Sequence, residues 1–96
     1  MADLIVVNEK DNVGNAISDI SEGTTAVYLT PGGEAYVKAV SDIPFGFKIA
    51  IRNIPKGAPV IKYGEAIGEA SRDIRAGELV HIHNVVGRRG RGDLNE

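Results

Sequence analysis

Hydrophobic and polar residues alternate in short runs along most of this chain. At residues 47–52, for example, Phe47, Ile49 and Ile51 occupy every second position. A period of two places successive side chains on opposite faces of a sheet, which is typical of a half-buried strand. The sequence therefore predicts strands at residues 4–8, 24–30, 34–40, 47–52, 58–63, 66–70 and 79–86. The second and third of these strands are expected to form a hairpin.

A different spacing is found at residues 11–20. The hydrophobic residues of this segment recur at intervals of three and four, which is the spacing of one face of a helix. Asp11 or Asn12 is available to cap the first turn. We therefore expect one short helix in an otherwise β fold. The residues that define its apolar face are Val13, Ala16, Ile17 and Ile20.

Four copies of a short pattern, Asx-Ile-x-x-Gly, each precede a predicted strand. In each copy we expect the Asp or Asn side chain to accept hydrogen bonds from backbone N–H groups two residues further on. The Ile is expected to enter the core, and the Gly to adopt a positive φ. The unequal spacing between copies argues against a solenoid. The copies lie at residues 19–23, 42–46, 53–57 and 73–77.

Composition places the chain among small globular proteins. Its 96 residues fit one domain, and its hydrophobic content is 43%. The absence of cysteine excludes disulfides and thiolate metal sites and fits a cytoplasmic localisation. The net charge of −2 provides no general attraction to nucleic acid or to a membrane surface. The N-terminal residues have neither the basic region of a signal peptide nor a long apolar stretch, so neither a signal peptide nor a transmembrane helix is expected.

Two histidines near the end of the chain are the first candidate functional residues. On a strand over residues 79–86, His81 and His83 would project to the same side of the sheet. Such a pair suits metal binding, general acid–base chemistry or hydrogen-bonded packing, and the residues alone leave these alternatives open. A metal site needs three or four ligands, so further ligands would have to come from a partner.

Lys62 is the second candidate, because it ends a predicted strand beside Gly64 and could reach an anionic ligand. The alternative is a solvated lysine before a turn.

The final ten residues are rich in Gly and Arg, but their arginines are not interleaved with aromatic residues, which makes nucleic-acid binding a poor match. We therefore divide the chain into a β domain at residues 1–86 and a tail or linker at residues 87–96.

Several of these segments together resemble one known family. In order, the chain contains Asp11-Asn12-Val13, Ile43-Pro-Phe-Gly-Phe-Lys48, Ile54-Pro-Lys-Gly-Ala-Pro-Val-Ile-Lys-Tyr-Gly64, Ile67-Gly68 and His81-Ile-His83-Asn84. This ordered set resembles the SAF domain of the altronate/galactarate dehydratase family, over about residues 4–86. The resemblance implies a β-clip fold, a long, bent and mainly β structure with one small helix.

The resemblance also implies a function. Enzymes of this family eliminate water from a hexonate or hexarate, give a 2-keto-3-deoxy acid, and depend on a divalent metal such as iron or manganese. The SAF domain is either part of a longer enzyme or a small subunit beside a large catalytic subunit. The chain is thus expected to be such a small subunit, inactive alone, in a cytoplasmic hydro-lyase that acts on a substrate such as altronate. Its expected partners are the large subunit and the sugar acid, with a homo-oligomer as an open alternative.

Roles for individual residues follow from the same resemblance. His81 and His83 are expected to act as acid and base or as metal ligands at the subunit interface. Asn84 would orient the substrate or a histidine, and Lys62 would pair with a substrate carboxylate. Two alternatives remain open: a small subunit of sulfolactate sulfo-lyase, which expels sulfite, and a non-catalytic module that binds a carbohydrate or another ligand.

Overall fold

The computed structural model describes residues 2–87, and every regular element in that range is a β-strand. The mainly β prediction is confirmed, and no helix long and apolar enough to cross a membrane is present in this range. The proposed tail at residues 87–96 lies, apart from Gly87, outside the described residues. The strands are β1 (Leu4–Ile5), β2 (Val13–Ala16), β3 (Thr25–Thr30), β4 (Gly33–Lys38), β5 (Lys48–Ala50), β6 (Pro59–Lys62), β7 (Glu65–Ala70), β8 (Leu79–Val80) and β9 (Val85–Val86).

The nine strands form three antiparallel sheets. A central sheet has the strand order β1-β2-β5-β8, β3 and β4 form a hairpin, and the third sheet has the order β6-β7-β9. The principal dimensions are 47 × 26 × 20 Å, so the molecule is elongated.

The central sheet separates two hydrophobic cores. Its register places Leu4, Ala16 and Ile49 on one face, where they join a core completed by the β3–β4 hairpin. Val13, Ala50 and Val80 lie on the opposite face, in a second core shared with β6 and β7. Because side chains alternate across a strand, one short sheet can support both cores.

The predicted helix at residues 11–20 is wrong, since β2 occupies the middle of that segment and pairs with β1 and β5. Gly14 explains the preference for the strand. A β-carbon at this position would lie 2.6 Å from Leu4 Cδ1 and 2.9 Å from the Ile5 carbonyl oxygen. The missing side chain therefore allows β1 to approach β2 closely.

The four sequence copies turn out to be parts of longer turn units, each an eight-residue Ala-x-x-Asx-Ile-x-x-Gly segment. Unit 1 spans residues 16–23, unit 2 residues 39–46, unit 3 residues 50–57 and unit 4 residues 70–77. Units 1 and 2 pair through an antiparallel bridge between Ile20 and Ile43, and units 3 and 4 through a bridge between Ile54 and Ile74. All four isoleucines are buried, as predicted.

Reciprocal hydrogen bonds join the two units of each pair. Each Gly N–H donates to the Ala carbonyl of the partner unit, at 2.7 to 2.9 Å. Each Asp or Asn side chain accepts a backbone N–H from the other unit of its pair, at the residue just before that unit's Gly. The prediction that the side chain bonds within its own turn is therefore wrong. The predicted positive φ is confirmed at all four glycines. The Asx bonds run from Phe45 to Asp19, from Glu22 to Asp42, from Ala76 to Asn53 and from Lys56 to Asp73, at 2.8 to 2.9 Å.

Candidate functional site

The two histidines lie in a turn, so the prediction of one continuous strand over residues 79–86 is wrong. β8 ends at Val80, β9 begins at Val85, and the N–H of Asn84 donates to the His81 carbonyl at 3.1 Å to close a turn between the strands. His81, Ile82 and His83 are all exposed, and Ile82 retains 83% of its accessible surface. The alternation argument for two histidines on one face of a sheet therefore no longer applies.

Asn84 is the residue that shapes this turn. Its side chain is fully buried, its Oδ1 accepts the His81 N–H at 2.9 Å, and its Nδ2 donates to the Leu79 carbonyl at 2.8 Å. Its own carbonyl accepts the N–H of Ser71 at 2.9 Å. Because both polar atoms of the side chain are engaged with backbone, Asn84 acts on the histidine turn rather than facing solvent. Whether it also affects the substrate stays a prediction.

His81 is supported by an aromatic neighbour. Its ring centroid lies 5.0 Å from that of Phe47, with the two planes inclined by 60°. Phe47 immediately precedes β5 and packs against the first core. An inclined aromatic contact of this kind limits the orientations of an otherwise exposed imidazole.

Lys62 lies at the end of β6, next to the tight turn that leads into β7. The two turn residues both have positive φ, 57° for Tyr63 and 78° for Gly64, which is the conformation of a two-residue type I′ hairpin turn. Tyr63 is the one non-glycine residue with positive φ among the described residues. The Lys62 ammonium lies 4.7 Å from the centroid of the Tyr63 ring, within the range of a cation–π contact.

Asp11 and Asn12, predicted to cap a helix, instead fasten the β6–β7 hairpin. Asp11 Oδ1 accepts the Gly64 N–H at 2.8 Å, and its Oδ2 accepts the Asn8 N–H at 3.1 Å. Burial acts to raise the pKa of the Asp11 carboxyl, but hydrogen bonds from backbone N–H groups outweigh it and leave the pKa below its usual value. The Asn12 side chain donates to the Pro59 carbonyl and accepts the Ile61 N–H, at 2.9 and 2.7 Å.

Lys48 is a further candidate residue, which no sequence feature singled out. It lies half-buried on β5, opposite Asn15 of β2 and Val80 of β8. Burial lowers the pKa of its ammonium group, and the positive charge of Lys62 lowers it further. Alternation alone could not separate Lys48 from a solvated lysine, because its environment depends on which strands flank β5.

A cavity brings Lys48 and the histidine turn together. It has a volume of about 230 Å³, is open to solvent, and is lined by Lys48, Ile67, His81, Ile82 and Val85. His83 is not part of this lining, so the structure associates His81 with Lys48 rather than with His83. A more enclosed cavity of about 180 Å³ lies beside β1 and β3, but none of the candidate residues lines it.

The described residues do not form a metal centre by themselves. Within residues 2–87, no three side chains of the His, Asp or Glu type come together in a way that could hold a metal ion. His81 and His83 alone provide fewer donors than a protein metal site requires. This donor set does not fit the divalent metal that the family resemblance implies, unless the other ligands come from outside this range.

Comparison with known proteins agrees with the resemblance. Residues 2–88 match the family described as "Altronate/galactarate dehydratase SAF domain". The chain is 42% identical over 80 residues to "Altronate dehydratase" of Escherichia coli (strain K12), which covers 83% of this chain and 15% of the relative. It is 38% identical over 84 residues to "Altronate dehydratase" of Bacillus subtilis (strain 168), which covers 88% of this chain and 16% of the relative.

A third relative is much shorter. The chain is 43% identical over 58 residues to "(2R)-sulfolactate sulfo-lyase subunit alpha" of Paracoccus pantotrophus, which covers 60% of this chain and 87% of that subunit. The chain therefore spans only 15 to 16% of the two altronate dehydratases but most of a sulfo-lyase alpha subunit.

Proposed function

The chain belongs to the SAF domain family of altronate/galactarate dehydratases, and from that premise we propose that it is the small, SAF-domain subunit of a sugar-acid dehydratase. In this proposal it acts with a larger catalytic subunit to eliminate water from a hexonate or hexarate such as altronate. The observation that carries the proposal is the family match over residues 2–88, together with relatives named altronate dehydratase that are several times longer.

The chemistry of the elimination defines what a subunit must supply. A proton is removed from the carbon next to the carboxylate, and the hydroxyl on the following carbon leaves as water. The reaction needs a base, an acid for the leaving hydroxyl, and positive charge to stabilise the enediolate that forms. Residues that carry such groups on this chain lie at the exposed histidine turn, at Lys48 in the cavity next to His81, and at Lys62, whose charge acts on Lys48.

We assign these roles to named side chains. His81, held against Phe47, donates or accepts a proton at the surface that faces the catalytic subunit, and His83 on the same turn is the second candidate. Lys62 pairs with a substrate carboxylate. Asn84 is a positioning residue, since its buried side chain holds the backbone of the turn at His81.

The divalent metal, iron or manganese, belongs in this proposal to the catalytic subunit. No three candidate ligands come together among the described residues, so His81 and His83 would need further ligands from the partner. None of the steps assigned to this chain passes through the metal. The roles of the two histidines in proton transfer can therefore be tested separately from metal binding.

A second candidate function is the alpha subunit of a sulfo-lyase. The supporting observation is the match that covers 87% of a separate alpha subunit and 60% of this chain. In both reactions one carbon loses a proton and the neighbouring carbon loses a leaving group. The leaving group is water in the dehydratase and sulfite in the sulfo-lyase. The product therefore distinguishes the two functions.

The test is to purify the chain with its large partner from the source cells and to identify that partner by mass. The complex is then supplied separately with altronate, galactarate and sulfolactate, and both the 2-keto-3-deoxy acid and released sulfite are measured. We expect the keto acid, and a loss of about 100-fold in kcat for His81→Ala if it transfers a proton. Lys56→Ala, at an exposed position of unit 3, is the matched control and should retain activity.

Each outcome of this test is decisive. Sulfite release from sulfolactate, with no 2-keto-3-deoxy acid formed from altronate or galactarate, would establish the second candidate instead. A purified complex with neither activity would refute both functions. An active complex in which His81→Ala and His83→Ala both retain activity within a few-fold would show that the histidines are not catalytic.

A further inference from the structure

Lys48 is a half-buried cation that the fold itself does not explain. Its backbone pairs with both neighbouring strands of the central sheet, and its side chain lies on the face that carries the second core. No carboxylate of the described residues lies within ion-pair distance of its ammonium group; the ion pair found in that range joins Arg72 and Glu78. Removing a charge from water is costly unless the charge is paired, so an anion near Lys48 would offset this cost.

The surroundings of Lys48 increase this cost. Lys62 contributes a second positive charge close enough to lower the pKa of Lys48. Lys48 and Lys62 thus place two like charges close together, and no carboxylate of the described residues forms an ion pair with Lys48. An anion placed there would attract both lysines and offset their repulsion.

The cavity beside Lys48 can admit such an anion. It is open to solvent, and its remaining lining combines the His81 ring with the apolar side chains of Ile67, Ile82 and Val85. An apolar wall around a small number of charged groups is the usual composition of a small-molecule site. In such surroundings a charge-assisted hydrogen bond is stronger than in open solvent.

We propose that Lys48, assisted by Lys62, binds a carboxylate group of a small acidic sugar in the cavity next to His81. The choice of a sugar acid rests on the proposed function, whereas the anion site itself rests on the lysines and the cavity. Lys48 is then the principal carboxylate-binding residue of this chain, and Lys62 supplies the second charge. The carbon chain of the ligand lies toward the apolar wall, and its carboxylate toward the ammonium group of Lys48.

The experiment uses the full 96-residue chain, labelled for NMR, and galactarate as the probe. At constant ionic strength, we expect galactarate to shift the methyl signals of Ile67, Ile82 and Val85 in a saturable way. Galactitol, which has the same carbon skeleton without carboxylates, should produce no shift. Lys48→Met should weaken galactarate binding by about tenfold, the effect of losing one charge-assisted hydrogen bond.

Controls separate this site from general charge effects. Lys38→Met, an exposed lysine on β4, should leave galactarate binding unchanged, and thermal unfolding should verify that both variants are folded. Saturation by sulfate with the same affinity would mean an adventitious ion only and would overturn the proposal. Unchanged galactarate binding by Lys48→Met would also overturn it.

A further arm distinguishes substrate binding from subunit docking. If the chain binds no galactarate but Lys48→Met prevents association with the catalytic subunit, Lys48 pairs with that subunit and the proposed site is wrong. Failure of the dehydratase assay would leave galactarate binding by the chain measurable. The site and the proposed function can therefore fail independently.

Discussion

Replacing equivalent glycines in two paired turn units should have very different effects on stability. Gly57 of unit 3 and Gly77 of unit 4 occupy the same motif position and have nearly the same φ, 87° and 91°. A β-carbon on Gly57 would meet no atom within 4 Å. A β-carbon on Gly77 would overlap the Lys38 carbonyl oxygen and lie 2.9 Å from the carbonyl carbon of Lys38.

The expected magnitudes follow from these surroundings. Gly57→Ala introduces only the strain of a positive φ, about 1–2 kcal/mol, partly offset by about 0.4–1 kcal/mol from the reduced entropy of the unfolded chain. Gly77→Ala adds an overlap with backbone, which a change of rotamer cannot relieve. Displacing that backbone adds roughly 3 kcal/mol or more. We therefore expect a loss of about 1 kcal/mol for Gly57→Ala and about 4 kcal/mol for Gly77→Ala.

Urea unfolding of the two variants and the wild-type chain measures this difference. A small domain is stable by about 5–15 kcal/mol, so Gly77→Ala should remove a large part of the stability or prevent folding, whereas Gly57→Ala should fold normally. A thermal scan should give Gly57→Ala a midpoint about 4–8 °C lower than that of the wild type. Equal losses in the two variants would refute the claim that contact with Lys38, rather than φ alone, requires glycine at position 77.

Two other predictions concern the polar residues that hold the site. Because hydrogen bonds keep the Asp11 pKa below its unfolded value, its charge stabilises the fold above about pH 4 and ceases to do so as the pH falls through the folded pKa. Urea unfolding should therefore show Asp11→Asn less stable than wild type at pH 6, with a smaller difference at pH 3; a difference independent of pH would contradict this. Asn84→Ala should lower the free energy of unfolding by about 2–3 kcal/mol, because two hydrogen bonds of a buried side chain are removed. The chemical shifts of His81 should also change in the NMR spectrum of this variant. Stability equal to that of the wild type would contradict the role assigned to Asn84.

The strands and turn glycines could be predicted from the sequence because local physics determines them. Alternation located six of the seven predicted strands approximately, and the need for positive φ identified Gly23, Gly46, Gly57 and Gly77. The pairing of the turn units could not be predicted, because each Asx side chain bonds to a unit 17 to 26 residues away. A local rule can assign such a side chain only to its own turn.

The two wrong elements have separate physical causes. The segment around Gly14 has the spacing of a helix face, but tertiary pairing with β1 and β5 prevails over a pattern of only four hydrophobic residues. Between β8 and β9, Asn84 closes a turn, whereas alternation predicts one continuous strand. That error matters for function, because it moves His81 and His83 from a sheet face to an exposed turn.

The buried polar side chains of Asp11 and Asn84 both support the candidate site. The two hairpins that link paired units occupy corresponding places in the chain, yet their tips are held differently. At the β3–β4 tip, Thr30 makes only local hydrogen bonds, with Gly32 and Gly33. At the β6–β7 tip, the buried carboxylate of Asp11, which precedes all four turn units, bonds to Gly64 and fixes the turn that follows Lys62.

A buried carboxylate is a costly way to hold a hairpin, since the group must be removed from water and fully hydrogen-bonded. The wide separation of Asp11 from Gly64 in the sequence makes the contact a tertiary constraint rather than a property of the turn. Its effect is to fix the turn that follows Lys62, whose charge lies close enough to Lys48 to lower the pKa of Lys48. Orientation of a charged side chain by a rigid supporting contact is what a binding site requires. This difference between the two hairpins therefore favours a ligand at Lys48 and Lys62 over a solvated lysine before a turn.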